Sequence, residues 1–126
     1  MGLYDAVMIK DNHIQACGSI SKAVERARKR IPHTAKVEVE ISRLSQLGEA
    51  VNAGADIIML DNMDDAMTRA AIAKIAGRAK VELSGNMTMD RVRALADSGA
   101  DYISIGAVTH SAPAADISLE VERLLS

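Results

Sequence analysis

Three residues able to do chemistry stand where short apolar runs stop: Lys10 after Val7-Met8-Ile9, Glu40 after Val37-Glu38-Val39, and Asp61 after Ile57-Ile58-Met59-Leu60. Two carboxylates brought to one mouth, Glu40 and Asp61, suit Mg²⁺, ribose hydroxyls or a cation that develops during reaction. Lys10 offers a fixed ammonium to the carboxylate of a ligand. Glu38 lies two residues before Glu40, on the same side of an extended chain, so its carboxylate is expected one layer below the site and ion-paired with a strand-end lysine. Ser84-Gly85-Asn86-Met87-Thr88 leads from another apolar run toward a helix with Thr88 as its N-cap. Successive backbone N–H groups there would face an anion, with the helix dipole assisting. Gly106-Ala107-Val108-Thr109 repeats the pattern, and its glycine admits a phosphate close to the backbone. Either turn taken alone also suits an ordinary loop. His13 and His110 are expected exposed in loops, and Cys17 as a passive loop thiol.

Such residues meet only if the elements before them end at one place. Five runs rich in β-branched residues read as strands: Leu3–Ile9, Lys36–Ile41, Asp56–Leu60, Lys80–Leu83 and Asp101–Ile105. Between them apolar residues recur at helical spacing, as in Leu44, Leu47 and Val51 or Val92, Leu95 and Ala96. A last helix is expected at about Ile117–Leu125. The alternation predicts an α/β fold of five parallel βα units, either a partial (half) TIM-like barrel or an open flavodoxin-like parallel sheet. Continuous apolar runs such as Ile57–Leu60 predict strands covered on both faces. Gly-Ala-Asp leads into a strand twice, at Gly54-Ala55-Asp56 and Gly99-Ala100-Asp101, a weak internal repeat. In folds of this kind the ligand lies beyond the carboxyl ends of the strands, where all the residues named above fall, and Gly-rich turns after late strands of a barrel commonly hold a sugar phosphate.

Composition limits the partners. A chain of 126 residues with 48% apolar side chains suits one domain, residues 1–126, with its own core. Fifteen Lys+Arg against 17 Asp+Glu leave no broad basic field for nucleic acid or an anionic membrane. Tyr4 and Tyr102 are the only aromatic residues, so the core is aliphatic and base-stacking platforms are missing. One cysteine cannot form an intrachain disulfide, and no apolar run approaches membrane-spanning length, so a cytoplasmic location is expected. There is no Cys/His cluster for zinc and no Gly-x-Gly-x-x-Gly for a dinucleotide.

Met8-Ile9-Lys10-Asp11-Asn12-His13, Val37–Glu40, Leu60-Asp61-Asn62, Glu82–Thr88 and Ile103–Pro113, taken in order, resemble the carboxy-terminal part of quinolinate phosphoribosyltransferase, also called nicotinate-nucleotide pyrophosphorylase (carboxylating). The resemblance implies a phosphoribosyltransferase of NAD biosynthesis. Quinolinate and phosphoribosyl pyrophosphate would give nicotinate mononucleotide, pyrophosphate and CO₂, with Mg²⁺. Lys10 would then contact a quinolinate carboxylate. Glu40 and Asp61 would serve the ribose hydroxyls and the Mg²⁺-pyrophosphate, and would steady charge at the anomeric carbon. Ser84, Gly85 and Asn86, with Gly106 and His110, would hold phosphate groups.

The family's amino-terminal domain, and the Arg-Lys and His-Arg pairs of its earlier barrel strands, have no counterpart here: the arginines before Glu40 are Arg26, Arg28 and Arg30, all in a helical stretch. The chain is therefore expected to be a fragment, with that domain absent, inactive alone while able to take phosphate or sulfate. Two alternatives stand beside it, a non-catalytic half-barrel that self-associates into a homo-oligomer, and another phosphosugar-binding barrel enzyme.

Overall fold

The computed structural model describes residues 5–117 and residue 119. Strand β1 is Ala6–Ile9, followed by helices α1 (Asp11–Cys17) and α2 (Ile20–Arg28). Then come β2 (Lys36–Ile41), α3 (Leu44–Asn52), β3 (Ile57–Asp61), α4 (Asp65–Ile75), β4 (Lys80–Ser84), α5 (Met89–Leu95), β5 (Tyr102–Ile103) and α6 (Ala107–His110). All neighbouring strands are parallel and the order is β1-β2-β3-β4-β5. A consecutive order is that of a barrel wall, whereas a flavodoxin-like sheet places its second strand outside the first. Of the two arrangements expected, the half-barrel is the one formed.

With right-handed crossovers and consecutive strands, the helices gather on one side. The strand residues facing them, Val37, Val39, Ile41, Ile58, Leu60, Val81 and Leu83, are at most 3% exposed. They pack with Ile20, Val24, Leu47, Ala50, Ala71, Ile75 and Leu95 in one core, each large side chain contributing about 1.5–3 kcal/mol. The other face is open toward the edges of the sheet among the described residues, where Met8 is 38% and Tyr102 49% exposed. The expectation of two covered faces holds at the middle of the sheet, where Met59 on the inner face is 5% exposed, and fails at its edges.

Helix α1 was not expected. Its opening residues, Asp11-Asn12-His13, carry the composition of a turn, and none of its side chains is buried. It ends at Gly18, whose left-handed backbone (φ 86°) turns the chain, and Ser19 then caps α2 by accepting from the Lys22 N–H at 3.2 Å. His13 therefore lies in a helix rather than a loop, and Cys17 is the last residue of α1, with its Sγ 3.7 Å from Arg26 Nη1. Thr88 caps α5 as expected, accepting from the Arg91 N–H at 3.3 Å. The helix expected at Ile117–Leu125 falls outside the described residues apart from Ile117 and Leu119.

The Gly-Ala-Asp repeat is structural. Asp56 donates its N–H to Val37 O at 2.9 Å, and its Oδ2 accepts from Val37 N–H at 2.7 Å. Asp101 does the same with Val81, at 2.9 and 2.8 Å. Each aspartate thus clips the start of its strand to the preceding one, satisfying a donor that the ladder leaves over.

Candidate functional site

At the carboxyl end of the sheet the register decides which side chains share a level. Ile9 pairs with Val39, so Lys10 comes level with Glu40, and Glu40 in turn pairs with Met59 and Met59 with Glu82. Lys10 Nζ meets Glu40 Oε2 at 2.7 Å. The Glu40 carboxylate raises the Lys10 ammonium above its ordinary value against the opposing effect of burial, and Asp61 and Asp11 add to the rise. Lys10 is thus the common neighbour of both expected carboxylates.

Glu38 is placed one layer below, as expected, but the expected ion pair is not made, because Lys10 goes to Glu40. Glu38 is 8% exposed, and its Oε1 has no hydrogen-bond partner. Burial, then repulsion by and hydrogen bonding with Glu82, then Glu40, push its carboxyl up to about 7. Glu82 was not singled out from the sequence. It is held by the Ser104 hydroxyl, which donates to its Oε1, and it could have been found by parity, two residues before Ser84 on the same side of β4.

The turn after β4 is built around Gly85. Its φ is 80°, and a Cβ there would lie 2.7 Å from the Asn62 backbone nitrogen, so only glycine fits. Arg91 braces this turn from α5, donating to Gly85 O at 3.1 Å and Met63 O at 2.7 Å and pairing with Asp65 at 3.2 Å. Ser84, Gly85, Asn86, Gly106 and His110, all expected phosphate-site residues, line one cleft of about 410 Å³ together with Ser104. His110 is in α6 rather than a loop, its Nδ1 2.7 Å from Ser111 Oγ. Thr88 does not line the cleft, so what faces a ligand there is the turn with its hydroxyl, amide and imidazole groups, together with Gly106 and Ala107 at the start of α6, rather than the start of α5. Asp61 joins the two halves: Asn62 Nδ2 donates to its Oδ2 at 2.8 Å, and Asn86 Nδ2 donates to Asn62 Oδ1 at 2.9 Å.

Residues 1–120 match the family model described as quinolinate phosphoribosyl transferase, C-terminal domain. The chain belongs to this family. A probable nicotinate-nucleotide pyrophosphorylase (carboxylating) of Bacillus subtilis is 46% identical over 95% of this chain and 42% of its own length. The nicotinate-nucleotide pyrophosphorylase (carboxylating) of Rattus norvegicus is 41% identical over 91% and 40%. The crystal structure of NadC from Streptococcus pyogenes superposes with a TM-score of 0.81 at 47% identity, covering 87% of this chain and 39% of that one. The chain therefore spans about two fifths of the length of these relatives, and the half-barrel is a quinolinate phosphoribosyl transferase half-barrel.

Mg²⁺ tests this quinolinate phosphoribosyl transferase site chemically. It takes oxygen ligands, commonly one or two carboxylates with water and substrate phosphates. Glu40 and Asp61 supply such a pair, and no group of three or more His, Cys, Asp or Glu residues able to hold a metal forms among the described residues. Two carboxylates fit an ion that keeps most of its shell for water or a ligand's oxygens, rather than one caged by protein.

Proposed function

We propose that this chain carries the ribose- and phosphate-facing part of a site that transfers a phosphoribosyl group to quinolinate, releasing pyrophosphate and CO₂. What supports the reading most is one juxtaposition: the Lys10–Glu40 pair and Asp61 at the ends of β1 to β3, beside the cleft between Ser84–Asn86 and Gly106–His110. In it Lys10 orients a carboxylate of quinolinate. Glu40 and Asp61 hold the ribose hydroxyls and a pyrophosphate-borne Mg²⁺, which when bound neutralises the leaving group. The same two carboxylates lie where positive charge grows at the anomeric carbon as pyrophosphate departs, an electrostatic contribution that needs no rearrangement. Ser84, Gly85, Asn86, Gly106 and His110 hold phosphate oxygens through backbone N–H, hydroxyl and imidazole groups. Because Lys10 stands among Glu38, Glu40, Asp61 and Glu82, the described site is short of the cations that a dicarboxylate and a pyrophosphate need. The isolated chain is accordingly expected to bind phosphate without turning over quinolinate.

The test is thermal. Millimolar phosphate or sulfate raises the melting temperature, since a ligand bound by the native state alone stabilises it. Gly106→Asp abolishes the rise, because its Cβ would come 2.8 Å from His110 Nε2 and its carboxylate would repel the anion. A rise of equal size in that variant would move the anion elsewhere, and nicotinate mononucleotide made by the isolated chain would refute its expected inactivity.

Two broader assignments go with this reading. No helix of the described residues is long and apolar enough to cross a membrane, and the lone Cys17 supports placement in the reducing cytoplasm. Among the described residues β1 and β5 are the edges of the sheet without a further strand, which supports self-association. Light scattering checks this, and a monomer at millimolar concentration would rule it out.

A further inference from the structure

Asn62 stands between the two halves of the site. Its Nδ2 donates to Asp61 Oδ2 at 2.8 Å. An ionised carboxylate only accepts, so the amide must turn its NH₂ toward Asp61 and its oxygen away. That oxygen accepts from Asn86 Nδ2 at 2.9 Å. Both amides are thereby oriented by chemistry, in one direction, from the turn after β4 to the carboxylate at the end of β3. The backbone holds them there. The Asn62 N–H donates to Ser84 O at 3.1 Å, and Asn62 and Asn86 both have left-handed backbones, φ 53° and 50°, a conformation asparagine adopts more readily than most residues. Asn62 occupies the space that a Cβ on Gly85 would need, 2.7 Å from its backbone nitrogen, so the two residues pack directly against each other.

We infer that Asn62 is a positioning residue. Together with Asn86 it fixes the Asp61 carboxylate to the Ser84–Asn86 turn, so that the metal-facing carboxylate and the phosphate-facing turn respond to a ligand as one unit. The inference rests on the proposed function in one respect, that the ligand joining them is a Mg²⁺-bound pyrophosphate. Its consequence is positive coupling: Mg²⁺ tightens pyrophosphate, and pyrophosphate tightens Mg²⁺ by the same factor. No contact to the ligand is required of Asn62 itself.

The experiment is titration calorimetry on the full chain with inorganic phosphate, and with inorganic pyrophosphate in the presence and absence of Mg²⁺. The proteins are wild type, Asn62→Gly, Asn86→Gly and the double variant. Glycine keeps the left-handed backbone at no steric cost; at Asn62 it removes the relay alone, and at Asn86 it also removes a side chain of the phosphate-facing turn, a loss that phosphate alone reads out. Complex formation between Mg²⁺ and pyrophosphate in solution is common to all four and cancels in the comparison. In Asn62→Gly the Mg²⁺-dependent gain in pyrophosphate affinity falls about three- to tenfold, the net value of one ordinary hydrogen bond, while phosphate alone binds within about twofold of wild type. The double variant loses no more of the gain than Asn62→Gly, because members of one network do not add. Should Asn62→Gly fail to fold, Asn86→Gly breaks the same relay from its other end and is expected to lose the gain equally. A gain that survives in the single variants, or losses that add in the double one, would overturn the relay while leaving the proposed function standing. Wild type that binds neither phosphate nor Mg²⁺-pyrophosphate would overturn both.

Discussion

The two ends of the sheet are built on opposite electrostatic plans. At the amino end Asp56 and Asp101 each have a cation and a backbone donor of their own. Asp56 accepts from Val37 N–H at 2.7 Å and from Arg28 at 2.6 Å, with Lys36 3.7 Å away, and Asp101 accepts from Val81 N–H at 2.8 Å and Lys80 at 2.6 Å. At the carboxyl end carboxylates stack on carboxylates. Glu38, Glu40, Asp61 and Glu82 have Lys10 among them, and a buried oxygen of Glu38 has no partner. Three residues there, Asn62, Gly85 and Asn86, have left-handed backbones, two of them non-glycine. A chain can satisfy its charges locally where nothing needs to bind, and it leaves them crowded where a ligand with complementary charge is to complete the set. The amino end therefore has its charges satisfied within the fold, and the carboxyl end, the end at which barrels of this kind bind their ligands, leaves them crowded.

The contrast has a pH signature, and its larger limb belongs to the carboxyl end. Glu38 is pushed up to about 7 by burial first and then by Glu82, whereas in the unfolded chain it ionises as an ordinary glutamate. Between these two values the folded state holds a proton that the unfolded state has released, so the contribution of Glu38 is full below about pH 4.5 and is lost as pH rises toward 7. The loss is on the order of 3 kcal/mol. Urea denaturation of wild type from pH 4.5 to 8 should show this decline, and Glu38→Gln should flatten it, making the variant the more stable protein at pH 8. A wild-type curve that is level over that window would erase the proposed difference between the two ends.

Much of this architecture was legible before any coordinates. Strand β2 matches its expected bounds, while β3 and β4 differ from theirs by a residue, because their apolar runs are long and stop at polar residues. For the same reason the position of Lys10, Glu40 and Asp61 at the mouth of the sheet was legible, since a polar side chain just past an apolar run has nowhere else to go. Helix α1 was not, since Asp11-Asn12-His13 mimics a loop and the helix buries no side chain whose spacing would reveal it. Register was not either. Whether Lys10 reaches Glu38 or Glu40 depends on how β1 slides against β2, a long-range fact that parity along one strand does not contain. The Asn62–Asn86 relay depends on positive φ at two non-glycine residues, which sequence does not mark.

The smaller limb belongs to the amino end and has the opposite sign. Burial works to raise the Asp56 carboxyl, but the Val37 N–H and the Arg28 guanidinium outweigh it and hold the group below its ordinary value. A depressed acid contributes stability that is complete above the unfolded value near pH 4 and drains away as pH falls through the folded one. Asp56→Asn keeps an acceptor for Val37 N–H and loses the charge that faces Arg28. It is expected to cost about 1 kcal/mol at pH 6, the modest worth of a partly exposed charge-assisted bond. The cost should vanish once the pH lies below the depressed folded value, where wild type has lost its own charge. The same denaturation series checks it: equal stability of the two proteins at pH 6 would mean that Asp56 acts through its backbone clip alone. A cost that persisted unchanged in acid would mean that the charge was never the difference between the ends.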